Sequence, residues 1–251
     1  MKFRLKAFGL HLLASATVLT LILGALYLGW YHWPGWYLAK ATQVVLVLIC
    51  VDVVIGPLLT FVIASPSKPR RELARDIGII AAVQVCALGY GFGSLWNGRP
   101  LYYAFSEDAL SVVQAYDINR NEAGLAREQN AEFAPHWYSL PRWVWAPLPQ
   151  DSKERERITS GIRSGGDDVI SMPRYFKPWE QGLPSLRNQL KKTDDWRFFD
   201  PAEKMRLKRR LQAAGLPFDQ PNAMPVTGRT RPLLVVFDPA SLKIIAMLRC
   251  N

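Results

Sequence analysis

Apolar residues are concentrated in three long runs near the start of the chain, and the rest of the sequence alternates short apolar and polar stretches. The runs cover residues 7–30, 41–64 and 77–95. Each approaches the ~20 residues that an α-helix needs to cross the hydrocarbon core of a bilayer. The pattern therefore predicts a three-helix transmembrane domain over residues 1–95 and a separate domain over residues 96–251.

Basic residues predict which side of the membrane each helix end faces. Lysine and arginine near span ends stay in the cytoplasm, and they cluster at residues 2–6 and again at residues 68–75. Residues 31–40 carry a lysine only at position 40 and are rich in tryptophan and tyrosine, which is typical of the aromatic belt at a bilayer surface. We therefore expect the N-terminus in the cytoplasm and residues 96–251 outside the membrane.

The second apolar run carries an acid and a proline that membrane helices rarely contain. Asp52 lies at its middle, where such a side chain costs about 2.5–3.5 kcal/mol on insertion scales and usually faces a bundle interior. Pro57, which follows Gly56, lacks an N–H and crowds the carbonyl four residues before it, so a bend is expected there. Asp52 has two interpretations: a protonated side chain bonded to a neighbouring hydroxyl that holds the bundle together, or a contact with a partner's transmembrane helix.

The third apolar run adds three residues of interest. Counting ~1.5 Å per residue from the cytoplasmic ends, Thr20 of the first run lies at a depth similar to that of Asp52, and Gln84 lies somewhat closer to the cytoplasm. Gly89 and Gly93 are four residues apart and allow close helix packing, within this chain or with a guest helix. The candidates for partner binding or for bundle stabilisation are six residues: Asp52, Gly56, Pro57, Gln84, Gly89 and Gly93.

The polar part of the chain predicts an α+β domain with a β-hairpin at each end. Strands are predicted at 101–105, 110–115, 232–237 and 243–248, and helices at 117–132, 152–164 and 201–214. An isolated hairpin is marginal in water, so both hairpins are expected in one sheet. Ser152 is the expected cap of its helix. The Pro- and Trp-rich stretch 135–149 is predicted as an ordered loop, and residues 178–188 as a loop or short helix.

Charge and cysteine content favour no particular ligand. The formal net charge of +10 mixes cytoplasmic loops with basic helices of the second domain, so it does not indicate nucleic acid. Those helices are expected to present a solvated face, with anionic lipid headgroups or an acidic partner as the alternative. Cys50 and Cys86 fall inside apolar runs and are expected to be buried. Cys250 stands alone in the second domain and predicts no internal disulfide.

Catalytic and metal-binding motifs are absent from the sequence. It contains no GxSxG, HExxH, P-loop or GxGxxG arrangement, and its histidines and cysteines have no metal-ligand spacing. Asp167 and Asp168 follow two glycines in what reads as a helix-ending turn, and His136 has no neighbouring nucleophile. We expect no catalytic residues, no cofactor and no metal. An enzyme with an atypical site at His136, Asp167 or Asp168 is the remaining alternative.

Several short elements occur in an order that is similar to a known family. They are Tyr31-His32-Trp33-Pro34, Asp52-x-x-x-Gly56-Pro57-Leu58-Leu59-Thr60, Lys68-Pro69, Arg75-Asp76, Arg99-Pro100-Leu101-Tyr102 and Pro173-Arg174-Tyr175. This order resembles the TfpX/TfpZ-type type IV pilin accessory proteins of Gram-negative bacteria. The likeness covers most of the chain and is clearest over the first ~115 residues, where the predicted spans lie.

The resemblance implies a chaperone-like helper of the bacterial inner membrane. Such a helper supports pilin stability, pilus assembly or surface display, with the type IV major pilin as partner and the second domain in the periplasm. It implies no enzyme activity and no cofactor, and it leaves homo-oligomerisation open. The alternative is a membrane-anchored periplasmic sensor or scaffold unrelated to pili.

Overall fold

The three apolar runs form long helices. In the computed structural model, which describes residues 1–107, 109–191, 200–213, 215–216 and 222–249, the chain divides into two units, Met1–Arg99 and Pro100–Asn251. Within the described residues, three helices are long and apolar enough to cross a membrane: Lys2–Tyr31, Ala41–Ile63 and Arg70–Asn97. The assignment of the first unit to the bilayer and of the second to the periplasm stays a prediction.

The first unit contains five α-helices and two π-helical segments within its described residues. The α-helices are α1 Lys2–Leu26, α2 Gly35–Leu38, α3 Ala41–Leu48, α4 Gly56–Ile63 and α5 Arg70–Asn97; the π-helical segments are Tyr27–Tyr31 and Ile49–Ile55. Leucine, valine and alanine side chains from α1, α3 and α5, together with Tyr31 of the first π-helical segment, form its core. The Tyr31 hydroxyl, which is buried, donates a 2.7 Å hydrogen bond to the Leu95 carbonyl and ties the end of the first helix to the end of the third.

The outer faces of these helices carry exposed apolar side chains. Leu13, Leu21 and Val62 are each about two-thirds exposed. Cys50 and Cys86 are exposed as well, so the expectation that both are buried is wrong. A position within an apolar run does not distinguish a residue that faces the core of a helix bundle from one on its outer face. Cys250 lies outside the described residues.

The second unit is built on a mixed sheet with the strand order β4-β3-β1-β2-β5-β6-β7. The strands are β1 Pro100–Ser106, β2 Ala109–Gln114, β3 Arg142–Trp145, β4 Lys177–Pro178, β5 Ala223–Thr227, β6 Leu233–Phe237 and β7 Ile244–Arg249. The pairs β1–β3 and β2–β5 are parallel, and the other neighbours are antiparallel. The terminal hairpins β1–β2 and β6–β7 therefore lie in one sheet, as the sequence predicts.

Three strands lie where the sequence predicts none: β3, β5 and the two-residue β4, whose Pro178 begins the stretch expected to be a loop or short helix. β3 falls inside the stretch expected to be an ordered loop, because prolines at 141 and 147 flank the strand rather than interrupt it, and Val144 is fully buried. β5 contains Pro225, and a proline argues against a central strand. Only Val226 and Thr227 of β5 pair with β2, so Pro225 lies outside the part of the strand that is paired on both sides.

The helices of the second unit are α6 Arg120–Gln129, α7 Ser152–Arg163, α8 Trp179–Gln189 and α9 Pro201–Ala213. The cap of α7 is Asp151, whose side chain accepts a 2.8 Å hydrogen bond from the Glu154 N–H, and not Ser152 as expected. Both residue types cap helices well, so type alone does not choose between neighbours. In α9, Leu207 and Leu211 are buried, whereas Met205 is exposed.

The Pro173-Arg174-Tyr175 element joins two helices through a buried ion pair. Arg174 Nε lies 3.2 Å from Glu122 Oε2 of α6, and its Nη2 lies 3.4 Å from Glu154 Oε1 of α7. The Tyr175 hydroxyl donates to Glu154 Oε1 at 2.5 Å. Hydrogen bonds from Arg157 and Tyr175 lower the pKa of Glu154 to about 2. This element therefore has a structural role.

Candidate functional site

The middle of the second apolar helix is wound as a π-helix. At its end the Gly56 N–H donates to the Val51 carbonyl, five residues back, instead of the four of an α-helix. One residue further on, the same pattern requires an N–H from Pro57, which has none. The Asp52 carbonyl therefore lacks a donor from its own helix. Because Pro57 has no N–H, a carbonyl oxygen in the centre of an apolar segment needs a hydrogen-bond donor from elsewhere in the protein.

Gln84 of α5 supplies the missing donor. Its Nε2 donates a 3.0 Å hydrogen bond to the Asp52 carbonyl oxygen, and both residues are buried. Gly56 makes room for this contact, because a Cβ at that position would overlap the Gln84 side-chain amide. Four predicted candidates, Asp52, Gly56, Pro57 and Gln84, therefore come together at one place.

His11 of α1 completes the cluster, and sequence reasoning missed it. Its Nε2 lies 2.7 Å from Gln84 Oε1, which can only accept, so Nε2 carries the proton. Its Nδ1 lies 2.6 Å from Thr60 Oγ1, and in the neutral ring Nδ1 accepts the hydroxyl proton. A chain of hydrogen bonds thus runs from Thr60 through His11 and Gln84 to the Asp52 backbone. It joins all three long helices and fixes the orientation of every side-chain group in it.

One oxygen of the Asp52 carboxyl group is not satisfied by this chain of hydrogen bonds. The residue is only 5% exposed, and its Oδ2 has no hydrogen-bond partner among the described residues. The hydroxyl partner that the sequence suggested is not found for this atom, and Thr20 is exposed. Buried polar atoms are normally paired, so an unpaired one calls for an explanation.

A cavity of about 220 Å³ lies beside this carboxyl group. Its lining combines polar side chains with small and apolar ones: His11, Ala14, Ser15, Val18, Leu19, Asp52, Ala81, Gln84, Val85 and Leu88. The lining comes from all three long helices. The cavity therefore combines a hydrogen-bonding acid with a mostly apolar lining, which suits an apolar guest carrying a polar group.

The two glycines predicted to pack helices closely do not pack this bundle. A Cβ at Gly89 or Gly93 would meet nothing within 4 Å among the described residues. Gly91 is the glycine that a neighbour requires, because a Cβ there would overlap the Leu48 side chain. Of the two alternatives for Gly89 and Gly93, packing within this chain lacks support, and packing with a guest helix stays a prediction.

The residues considered for catalysis do not assemble. Asp167 accepts a 2.6 Å hydrogen bond from Asn119 and lines a cavity of about 360 Å³ together with Asp168. His136 is exposed and stacks on Tyr138, with ring centroids 5.2 Å apart, and does not line that cavity. In the part of the chain that the structure describes, no group of three or more histidine, cysteine or acidic residues is placed to hold a metal ion.

Curated proteins similar to this chain come from Dichelobacter nodosus. The chain is 25% identical to the fimbrial assembly protein of serogroup I over 240 residues, which covers 94% of this chain and 91% of that protein. It is 24% identical to the serogroup E1 protein over 243 residues, with the same coverage. It is 31% identical to the protein of serogroups C1 and C2 over 120 residues, which covers 48% of this chain and 92% of that protein.

These similarities show the family. The chain belongs to the fimbrial assembly protein family. The narrower TfpX/TfpZ-type membership suggested by the sequence elements stays a prediction. No protein-family model matches the chain, and no solved structure matches it.

Proposed function

We propose that this protein is an inner-membrane accessory factor of type IV pilus assembly that binds the transmembrane helix of a pilin. Its family membership supports a role in fimbrial assembly. Its three apolar helices support anchoring in a membrane. A pilin awaiting assembly has one long apolar helix in the bilayer and a globular head outside it, so a helper needs a surface for each part.

The unpaired Asp52 carboxyl oxygen is the observation that carries the proposal. A buried acid in an apolar helix costs free energy, and such residues mark binding sites or polar contacts between helices. The side chains of His11, Thr60 and Gln84 at this level are already engaged in hydrogen bonds with each other or with the Asp52 carbonyl. A guest helix that places a hydrogen-bonding group in the cavity would satisfy Oδ2 and bury its own polar group in the same contact.

The second unit is proposed to lie in the periplasm and to contact the pilin head. The basic clusters at residues 2–6 and 68–75 support this orientation. A reporter fused after Asn251 should be active only in the periplasm, and one inserted near Ser67 only in the cytoplasm. The reverse pattern would overturn the proposed orientation. This role requires no catalysis by the protein.

Co-purification from detergent-solubilised membranes tests the binding role. Pilin should be retained by the wild-type protein and lost with Asp52→Leu. The matched control is Val54→Leu, which changes an exposed side chain in the same π-helical segment and should retain pilin. Equal recovery of pilin with Asp52→Leu and with the wild type would reject this site. Equal folding of both variants is checked by their yield and circular dichroism.

A sensor or scaffold unrelated to pili is the second function that the sequence left open. It predicts no enrichment of pilin with either the wild-type protein or the Val54→Leu variant. The same experiment therefore separates the two functions.

A further inference from the structure

An exposed aromatic turn precedes β3 in the second unit. Trp137 is 71% exposed, Tyr138 58% and Leu140 59%. The turn has a fixed shape, because the Ser139 N–H donates to the His136 carbonyl at 3.1 Å and the His136 N–H donates to Ser139 Oγ at 2.9 Å. The rings of Trp137 and Tyr138 meet edge to face, 5.5 Å apart. These large side chains are displayed on a hydrogen-bonded turn and are not part of the core.

Strand pairing places this turn at the end of the sheet where the chain enters the second unit. β3 runs parallel to β1, and Arg142 pairs with Tyr102. Residues just before 142 therefore lie at the same end as the first residues of β1. β1 begins at Pro100, three residues after α5 ends at Asn97. Three residues span at most about 10 Å when extended.

The composition of the turn suits the boundary between lipid and water. Residues 135–141 contain no lysine, arginine, aspartate or glutamate. Inserting them into the headgroup region would therefore remove no charged side chain of these types from water. Tryptophan and tyrosine combine an apolar ring with a polar edge and concentrate at the level of lipid headgroups. With α5 spanning the bilayer, chain length alone keeps this end of the sheet near the membrane surface.

We infer that the turn at residues 136–140 inserts into the headgroup region of the outer leaflet of the same membrane. This inference rests on the membrane anchoring in the proposed function, and it does not depend on the binding of pilin. The turn is then a second point at which the chain contacts the membrane, in addition to its apolar helices.

Fluorescence quenching by lipids tests the inference on the full chain. The protein is reconstituted into phosphatidylcholine–phosphatidylethanolamine vesicles that contain nitroxide-labelled phosphatidylcholine. A bimane label is placed at Leu140→Cys in a background without the native cysteines. The matched control is Ala240→Cys, an exposed residue in the turn between β6 and β7. Strand directions put that turn at the opposite end of the sheet.

Quenching at position 140 should be at least 3-fold stronger than at position 240, as expected for a group held at headgroup depth. Replacing Trp137 and Tyr138 by serine should reduce it toward the value at 240 without changing the circular dichroism. Equal quenching at 140 and 240 in the unsubstituted turn would overturn the inference. Shielding of the 140 label only when pilin is added would also overturn it and would assign the turn to a protein partner.

A label on the native Cys86, which is exposed on α5, separates this inference from the proposed function. Deep quenching at Cys86 with none at 140 would reject lipid contact by the turn and keep the membrane anchor. Absence of quenching at Cys86 would reject the anchor itself, and with it the basis of the inference.

Discussion

Each unit buries an acidic side chain, but only the acid of the second unit is compensated, that is, paired with a cationic side chain. Glu122 of the second unit is 6% exposed and lies against Arg174, whose guanidinium also reaches Glu154. Asp52 of the first unit is equally buried, and no cation pairs with it among the described residues. A compensated acid stabilises the unit that contains it only as long as its partner remains. An uncompensated acid beside a cavity is better explained by what binds there.

The largest expected effect is the loss of the compensated pair in the second unit. Arg174→Leu leaves Glu122 buried without its cation, and such changes cost about 3–5 kcal/mol of unfolding free energy. Denaturant titration of the full chain in detergent, followed by near-UV circular dichroism, measures this loss. Arg157→Ala is the control: it removes an exposed partner of Glu154 and should cost no more than about 1 kcal/mol. Similar costs for the two variants would contradict the role given to Arg174.

Removing the uncompensated acid, Asp52, should reduce function without reducing stability, whereas Arg174→Leu should reduce stability. Asp52→Leu should leave the amount of membrane-inserted protein unchanged or raised, because it removes a costly polar group from the bilayer. The affinity for pilin should fall by about 10-fold, which corresponds to about 1.4 kcal/mol of binding free energy, and pilus output should fall with it. Asp52→Asn should lose less, because an amide keeps its hydrogen-bonding capacity. Surface pili are counted by shearing and immunoblotting, and normal output from Asp52→Leu would show that the residue is merely tolerated.

Acid should weaken the second unit through Glu154. Its folded-state pKa of about 2 lies below its ordinary value of 4.5, so its stabilising effect is complete above pH 4.5. That effect is lost as the pH falls from 4.5 toward 2. Since the pair is partly exposed, the loss should be roughly 1 kcal/mol, or about 2–4 °C in Tm.

Glu154→Gln isolates that contribution. The variant should melt at a lower temperature than the wild type at pH 6, and the two curves should converge toward pH 2. A constant difference in Tm over this range, measured by thermal circular dichroism, would show that the Glu154 carboxylate does not titrate as proposed.

The smallest effects are expected at the residues considered for catalysis. His136→Ala, Asp167→Ala and Asp168→Ala should each retain most pilus output, because a binding surface is spread over many residues and a catalytic site is not. Immunoblotting confirms that each variant is present at a normal level. Complete loss of pili from any one of them, at a normal protein level, would reopen an enzymatic role centred on the cavity beside Asp167.

Sequence pattern predicted the elements whose signal is local. Long apolar runs, terminal hairpins and the basic helix α9 follow from periodicity and composition, and their approximate bounds agree with the structure. β3, β4 and β5 were missed because short strands next to or containing proline look like loops until their neighbours in the sheet are known.

The candidate site was predicted only in part, for a similar reason. Asp52, Gly56, Pro57 and Gln84 are conspicuous in apolar runs, but His11 meets Gln84 from 73 residues away in the sequence. A signal for His11 existed, since a polar side chain inside a predicted membrane helix needs a partner. The rotation of α5 about its axis decides which of its glycines faces a neighbouring helix. Spacing in the sequence does not give this rotation, so it favoured Gly89 and Gly93 where the structure uses Gly91.

Photocrosslinking from the cavity wall tests the central proposal most directly. A photoreactive amino acid at Val85 faces the cavity, whereas one at Val83, on the same helix and also exposed, lies outside it. In native membranes the probe at Val85 should crosslink to the pilin, the probe at Val83 should not, and Asp52→Leu should abolish the Val85 product. Equal crosslinking from both positions, or a Val85 product that survives Asp52→Leu unchanged, would contradict binding of the pilin helix at this site.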